Sequence, residues 1–413
     1  MRKLLGFAEL AFTVLSLLLY TGGPLTVIIT GGASQGDGLN GEEVDSSLIQ
    51  LIFLLNYVVT FLLLVARWKK VIYALRKEKF ILALVGVAVF SVFWSVAPAK
   101  TIRRGMALVG TTMFGLYLAT RYSVRQQLQL LGWMFGIAAT LSVLFALVLP
   151  KYGIMGGVHA GSWRGIYPNK NSLGQFMSLS AMIFCLLAIG TKRNYLLLWC
   201  GFGLSLILLL LSASTSSLVN LVILLTVLPV SQTLRWHYKL MIPALIVIGT
   251  AGGSLYVWFK ANTESLLASI GKDPTLTGRT EMWPFVLEMI GRRPLLGYGY
   301  NGFWLGWKGE ESSYVWSAIG WEAPNSHNGW LELWLDVGLL GVSIYLIRFW
   351  TILLRSLIWV RLSRKTESLW PLIFLVYTVL ANLTESAMMG ENSILWVLYV
   401  ALNFSVINQP QKK

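Results

Sequence analysis

The feature that most limits what this chain can become is the recurrence of apolar runs, each close to bilayer thickness in length. A helix needs about 20 apolar residues to cross the hydrocarbon. Runs of that kind lie near residues 7–30, 48–66, 80–97, 104–120, 127–149, 171–190, 194–211, 216–231, 239–258, 328–354, 368–386 and 391–407. They predict an all-α integral membrane fold with about twelve transmembrane helices, one polytopic domain over residues 1–413. Only 12% of the residues are charged and 56% are hydrophobic, whereas soluble domains carry about 25% charged residues. Met1-Arg2-Lys3 opens a stretch that stays apolar to about Thr30. That exceeds the roughly 7–15 residues of a signal-peptide core, so it reads as a retained first span.

The formal net charge is +15. In a soluble protein that excess would point to nucleic acid. Here the positive charge falls in short segments between apolar runs, so no nucleic-acid partner is expected. Arg67, Lys69, Lys70, Arg76, Lys77 and Lys79 share one such segment; Arg121 with Arg125, Lys192 with Arg193, Arg235 with Lys239, and Arg355, Arg361, Arg364 and Lys365 occupy others. With twelve spans these fall on one side, together with both termini, and that side is cytoplasmic by the positive-inside rule. Asp37, Glu42, Glu43 and Asp45 fall on the other side. Cys185 and Cys200 sit inside apolar runs without metal or redox spacing and read as small buried hydrophobes.

One interval breaks the apolar pattern, from about Lys260 to Asn328. It is too long for a turn between spans, and a loop of that length is functional or disordered. Its many aromatic residues argue against disorder. The expectation is an ordered helical loop over 259–327, outside the membrane on the side opposite the basic segments. Within it, Trp283, Val286, Leu287 and Ile290 recur at helical spacing, an amphipathic helix that Thr277 or Thr280 can cap. Arg279 opens that helix and could grip a diphosphate with two parallel donors, where Lys offers a point charge; Glu281 could equally hold it in a surface ion pair. Gly297-Tyr298-Gly299-Tyr300 reads as a structural aromatic turn.

Two further outer segments carry chemistry. Arg164 and Lys170 stand just before the sixth span, where Asn169 or Asn171 can cap the helix. A helix start with two cations suits a phosphate, and a solvated loop is the plain alternative. Asn325-Ser326-His327-Asn328 leads directly into the tenth span. Imidazole titrates near neutrality, which suits His327 to general-base work. The other histidines, His159 and His237, lie in an outer loop and on the cytoplasmic side. Thr384-Glu385, at the end of the eleventh span, is an ionisable group close to the membrane that suits a functional role or, with Met388-Met389-Gly390-Glu391 marking the turn, the interface, which is the favoured reading.

Together these strings resemble the bacterial O-antigen ligase and polysaccharide polymerase superfamily (Wzy/WaaL), closest to its exopolysaccharide-polymerase branch. Trp163-Arg164-Gly165 with Asn169–Gly174, Thr277-Gly278-Arg279-Thr280 with Arg293–Gly299, and Asn325–Asn328 with Leu331-Glu332 and Gly338–Gly341 carry the resemblance. It covers about residues 150–350. Many relatives place a basic residue in the turn between the seventh and eighth spans; here that turn is Ser212–Ser217, with none.

The resemblance implies a GT-C-type glycosyltransferase of the bacterial cytoplasmic membrane, working on the periplasmic side without metal or cofactor. The donor would be a polyprenyl-diphosphate glycan. The acceptor would be a second glycan or lipid A–core, with membrane lipid and polysaccharide-assembly proteins as further partners. His327 would be the catalytic base and Arg279, Arg164 and Lys170 the diphosphate ligands. Asn325, Asn328, Glu281 and Glu332 would support the site or compete for the base role. An acceptor hydroxyl that gives its proton to His327 and attacks from the face opposite the diphosphate predicts inversion. The alternative class is a flippase for lipid-linked oligosaccharides or another secondary transporter. Transport sites usually lie near the bilayer midplane, and these groups lie at its outer surface.

Overall fold

The computed structural model describes residues 2–29, 31–32, 47–191, 194–262 and 279–407. Asp37, Glu42, Glu43, Asp45, Lys192, Arg193, Thr277, Gly278, Lys412 and Lys413 lie outside them. The described chain is helical, with one isolated bridge between Ile154 and Trp163. The order is α1 (Arg2–Leu19), α2 (Leu25–Ile29), α3 (Ser47–Val65), α4 (Trp68–Lys77), α5 (Phe80–Phe90), α6 (Pro98–Arg121), α7 (Val124–Val148), α8 (Pro150–Gly153), α9 (Lys170–Gly190), α10 (Tyr195–Leu211), α11 (Thr215–Thr233), α12 (Tyr238–Ala261), α13 (Arg279–Arg292), α14 (Glu310–Ile319), α15 (Gly329–Leu362), α16 (Trp370–Ala381) and α17 (Ile394–Ile407). Every predicted apolar run holds one of these helices. Among the described residues, α3, α7, α9, α11 and α15 are long and apolar enough to cross a membrane. Shorter apolar stretches coincide with α5, α10, α12, α16 and α17. The chain is an all-helical membrane protein.

Burial is inverted relative to a soluble bundle. Helices α9, α16 and α17 bury nearly all their side chains, polar ones such as Ser178, Ser180 and Asn403 included. Peripheral helices instead expose large apolar residues, Leu54 and Leu55 on α3 and Leu196 and Leu197 on α10. Continuous apolar exposure on this scale marks a surface that meets lipid or a partner. Between helices, small residues set the approach. A Cβ on Gly115 of α6 would stand 2.7 Å from Val400 of α17, and one on Gly201 of α10 would stand 2.6 Å from the Phe184 ring of α9.

Residues 279–327 build a cap with its own core, in which Met282, Val286, Met289 and Ile290 of α13 pack on Tyr298, Phe303 and Val315. Of the predicted apolar face, Val286 and Ile290 are buried here and Trp283 packs at the edge, whereas Leu287 is exposed and Met282 and Met289 complete the face instead. The cap locks onto α15 where that helix breaks. Gly338 takes φ 65° and ψ −171°, outside helical geometry, and the break frees backbone groups that the cap strap takes up. Leu339 N–H donates to Pro294 O at 2.9 Å, Leu340 N–H to Leu295 O at 3.2 Å, and Tyr298 N–H to Leu335 O at 2.7 Å. A Cβ on Gly338 would lie 2.3 Å from Leu295 O, so glycine is required both for the positive φ and for the contact. On its other side the strap meets the turn after α5: Tyr300 N–H donates to Ser91 Oγ at 2.8 Å, and Val96 N–H to Tyr298 O at 3.0 Å. The Gly-Tyr-Gly-Tyr turn is structural, as its sequence indicated.

Candidate active site

The turn into α15 is built almost wholly from its own polar residues. Asn328 caps the helix, its Oδ1 accepting from Trp330 N–H at 3.0 Å and Leu331 N–H at 3.4 Å. Ser326 is fully buried and its Oγ donates to Asn328 O at 2.8 Å. Asn325 Oδ1 accepts His327 N–H at 2.8 Å. These bonds hold His327 at φ 48°, a left-handed conformation uncommon for a residue with a side chain. Glu332, one turn into α15, fixes the turn from below. Its Oε2 accepts Ser326 N–H at 2.8 Å and its Oε1 accepts Trp304 Nε1–H at 2.9 Å. Trp283 of α13 donates to Ser326 O at 3.0 Å. Both carboxylate oxygens of Glu332 are thus engaged in positioning. Glu281, the other acid weighed as a base, is exposed, as is Glu322.

The turn rests on the segment after α16. Gly329 N–H donates to Asn382 O at 2.9 Å, and a Cβ on Gly329 would overlap Asn382. This docking brings Glu385 to the imidazole: Glu385 Oε2 lies 3.8 Å from His327 Nδ1. The other oxygen, Oε1, lies 3.5 Å from Arg279 Nη2, and Arg279 Nη1 donates to Thr384 O. Arg279, Glu385 and His327 come from three segments far apart in the chain and converge on one carboxylate. Each is partly open to solvent, with side-chain exposures of 18%, 31% and 18%.

A second polar network flanks this group. Glu391, before α17, pairs with Arg104 of α6 and accepts from Tyr300 Oη and Asn301 Nδ2, each at 3.1 Å. Burial, then the Glu391 carboxylate, hold the Tyr300 phenol well above its ordinary value, so it stays a donor. Lys100 Nζ donates to Trp304 O at 2.7 Å, and Asn301 N–H to Asp336 Oδ1 at 2.9 Å. Sequence reasoning passed over Lys100, Arg104 and Glu391, and set Glu385 aside as interfacial. A signal existed for the cations: Lys100, Arg103 and Arg104 stand at a span end away from the other basic segments.

Arg164 and Lys170 occupy a neighbouring region. Arg164 is 1% exposed, and its guanidinium donates to Tyr152 O at 2.9 Å, Lys151 O at 3.0 Å and Gly32 O. It clamps carbonyls of α8 and of Gly32, which follows α2. Lys170 opens α9, which Asn169 caps through Ser172 N–H at 2.8 Å. Gly174, one turn on, faces the serine turn: a Cβ there would meet Ser214, Ser217 and Ser212 within 2.6–3.0 Å. Without a basic residue, that turn is a compact, buried cluster of hydroxyls, with Ser214 Oγ and Ser217 Oγ 2.9 Å apart.

The chain is similar to known proteins. Residues 200–346 match the family described as O-Antigen ligase. That stretch runs from α10 through the cap and the histidine turn to the middle of α15. The chain is also similar to exopolysaccharide production protein ExoQ of Rhizobium meliloti (strain 1021), with 27% identity over 312 residues, 71% of this chain and 69% of that protein.

Proposed function

We propose that the chain, whose residues 200–346 match the O-Antigen ligase family, is a member of the O-antigen ligase and polysaccharide polymerase superfamily and a GT-C-type membrane glycosyltransferase using a polyprenyl-diphosphate glycan. The acceptor is a sugar hydroxyl on a second glycan or on lipid A–core, and the reaction inverts the anomeric carbon and uses no metal. The reaction face is periplasmic, and both termini are cytoplasmic. Twelve spans carry the chain through the inner membrane, and 259–327 is its extracytoplasmic loop.

One observation carries this reading: a single carboxylate, Glu385, between the Arg279 guanidinium and the His327 imidazole. With Nδ1 turned toward Glu385, Nε2 of His327 is the nitrogen left for substrate. It takes the proton of the acceptor hydroxyl as that oxygen bonds to the anomeric carbon. The bond from that carbon to the diphosphate oxygen breaks, and the diphosphate leaves with the electron pair. Glu385 then faces an imidazolium, and shortening the 3.8 Å approach to a hydrogen bond stabilises it. Arg279 keeps donors beyond those given to Thr384 and Glu385, and these meet the charge that develops on the diphosphate. Lys170 adds a positive charge at the α9 start, and Arg164 holds the loop that carries it. Asn325 and Asn328 fix the turn, and Glu332 anchors it.

Purified protein in proteoliposomes, given a defined polyprenyl-diphosphate oligosaccharide and an acceptor glycan, tests the reading. Release of free polyprenyl diphosphate with a lengthened acceptor supports it. Exchange of the lipid between leaflets without release indicates a transporter instead.

A further inference from the structure

The cap presents an aromatic track that the transfer chemistry above does not use. Trp307 is 59% exposed, the most open tryptophan of the cap. Its ring is held rather than loose: it stands edge-on to Trp316 at 5.4 Å and 79°, and its Nε1–H donates to Glu322 Oε1 at 2.7 Å. Trp316 is itself fixed by a bond to Ala323 O at 2.8 Å. Glu322 is exposed, and its chain neighbour Trp321 lies 6.1 Å from the His327 ring with 34° between planes. The run Trp307, Glu322, Trp321, His327 therefore leads from open solvent to the proposed base.

We propose that Trp307, Glu322 and Trp321 form a subsite for a neutral pyranose chain, delivering one of its hydroxyls to His327. The proposal rests on the transferase reading for its place in the reaction. A rigid indole face matches the flat C–H face of a pyranose with equatorial hydroxyls, and an ionised carboxylate accepts from those hydroxyls. Rigid tryptophans also lose little entropy when they bind. The alternative occupant of an exposed tryptophan in a membrane protein is the lipid interface. Local charge favours sugar. Membrane-surface segments are rich in Lys and Arg on their polar face, whereas Trp307 has Glu310 and Glu322 nearby in sequence or space against Lys308, with Glu311 paired to Arg293 at 4.0 Å. Those same acids disfavour a uronic or otherwise acidic chain.

The probe is cellotetraose, a neutral chain of equatorial pyranoses, titrated calorimetrically into the full chain in lipid nanodiscs. Saturable binding is expected, weakened about tenfold by Trp307→Ala, weakened less by Trp307→Phe, which keeps a ring, and reduced by Glu322→Gln. Absence of saturable binding, or binding indifferent to Trp307→Ala and Glu322→Gln, overturns the subsite. So does quenching by brominated lipid of a fluorophore attached at Trp307→Cys, which would place the position in the bilayer. Binding that depends on Trp307 in a protein that transfers no glycan keeps the subsite and removes the transferase reading. Transfer without Trp307-dependent binding does the reverse.

Discussion

Glu385 Oε2 and His327 Nδ1 stand 3.8 Å apart, although 58 residues and a membrane helix pair separate them in the chain. The same carboxylate reaches Arg279 through its other oxygen. Glu385 therefore faces the imidazole and the guanidinium at once. Glu385→Gln keeps the size and loses the charge, so transfer should fall by roughly 10–100-fold. Combined with His327→Ala, the losses should be far from additive, because one residue acts through the other. Additive losses in initial transfer rate would separate the two residues.

Arg279→Lys keeps the charge and loses the planar pair of donors. The donor concentration for half-maximal rate should rise about tenfold, while acceptor dependence stays near that of the parent. Steady-state transfer with each substrate varied in turn distinguishes this from a general loss.

Arg164 should behave differently. It is buried among three backbone carbonyls, so Arg164→Ala removes charge-assisted bonds worth about 1.5–3 kcal/mol each. The expected result is a lower thermal midpoint in detergent, with donor affinity in the surviving folded fraction little changed. An unchanged midpoint with weakened donor binding would make Arg164 a direct ligand.

Gly338→Ala forces a side chain into positive φ and against Leu295 O. It should cost about 2–4 kcal/mol and loosen the cap from α15. Gly203→Ala on α10, where a Cβ meets nothing within 4 Å, should be neutral or stabilising by up to about 1 kcal/mol. Thermal unfolding of the purified variants checks the contrast.

The helices were legible because one variable, apolar length, decides them. The amphipathic spacing of Trp283, Val286, Leu287 and Ile290 foretold the helix and part of its buried face, with Leu287 turned outward instead, and the glycines of the Gly-Tyr-Gly-Tyr turn announced its backbone. Partnership was not legible. Arg164 and Arg279 look alike in a sequence, and only the fold shows that one is enclosed by carbonyls and the other reaches Glu385. Glu385 gave an acid at a membrane edge and nothing more, because its meaning depends on Asn382 docking against Gly329. Glu332 followed the histidine string and was weighed as a base. Its position, with both oxygens holding Ser326 and Trp304, reads instead as an anchor.

Orientation is open to direct measurement. Cysteine at Lys308, in the cap, should label with a membrane-impermeant maleimide in cells whose outer barrier is permeable, and cysteine at Lys70 should not. The reverse pattern would move the site to the cytoplasm and remove the periplasmic reading.

The central claim is that His327 takes a proton during glycan transfer. It is tested by single-turnover transfer alongside donor binding, on the same purified His327→Ala protein. The account predicts a chemical step slower by roughly 10²–10⁴-fold, with donor bound as in the parent. Lost donor binding with the chemical step intact would contradict it, making His327 an anchor for the turn and moving the base elsewhere.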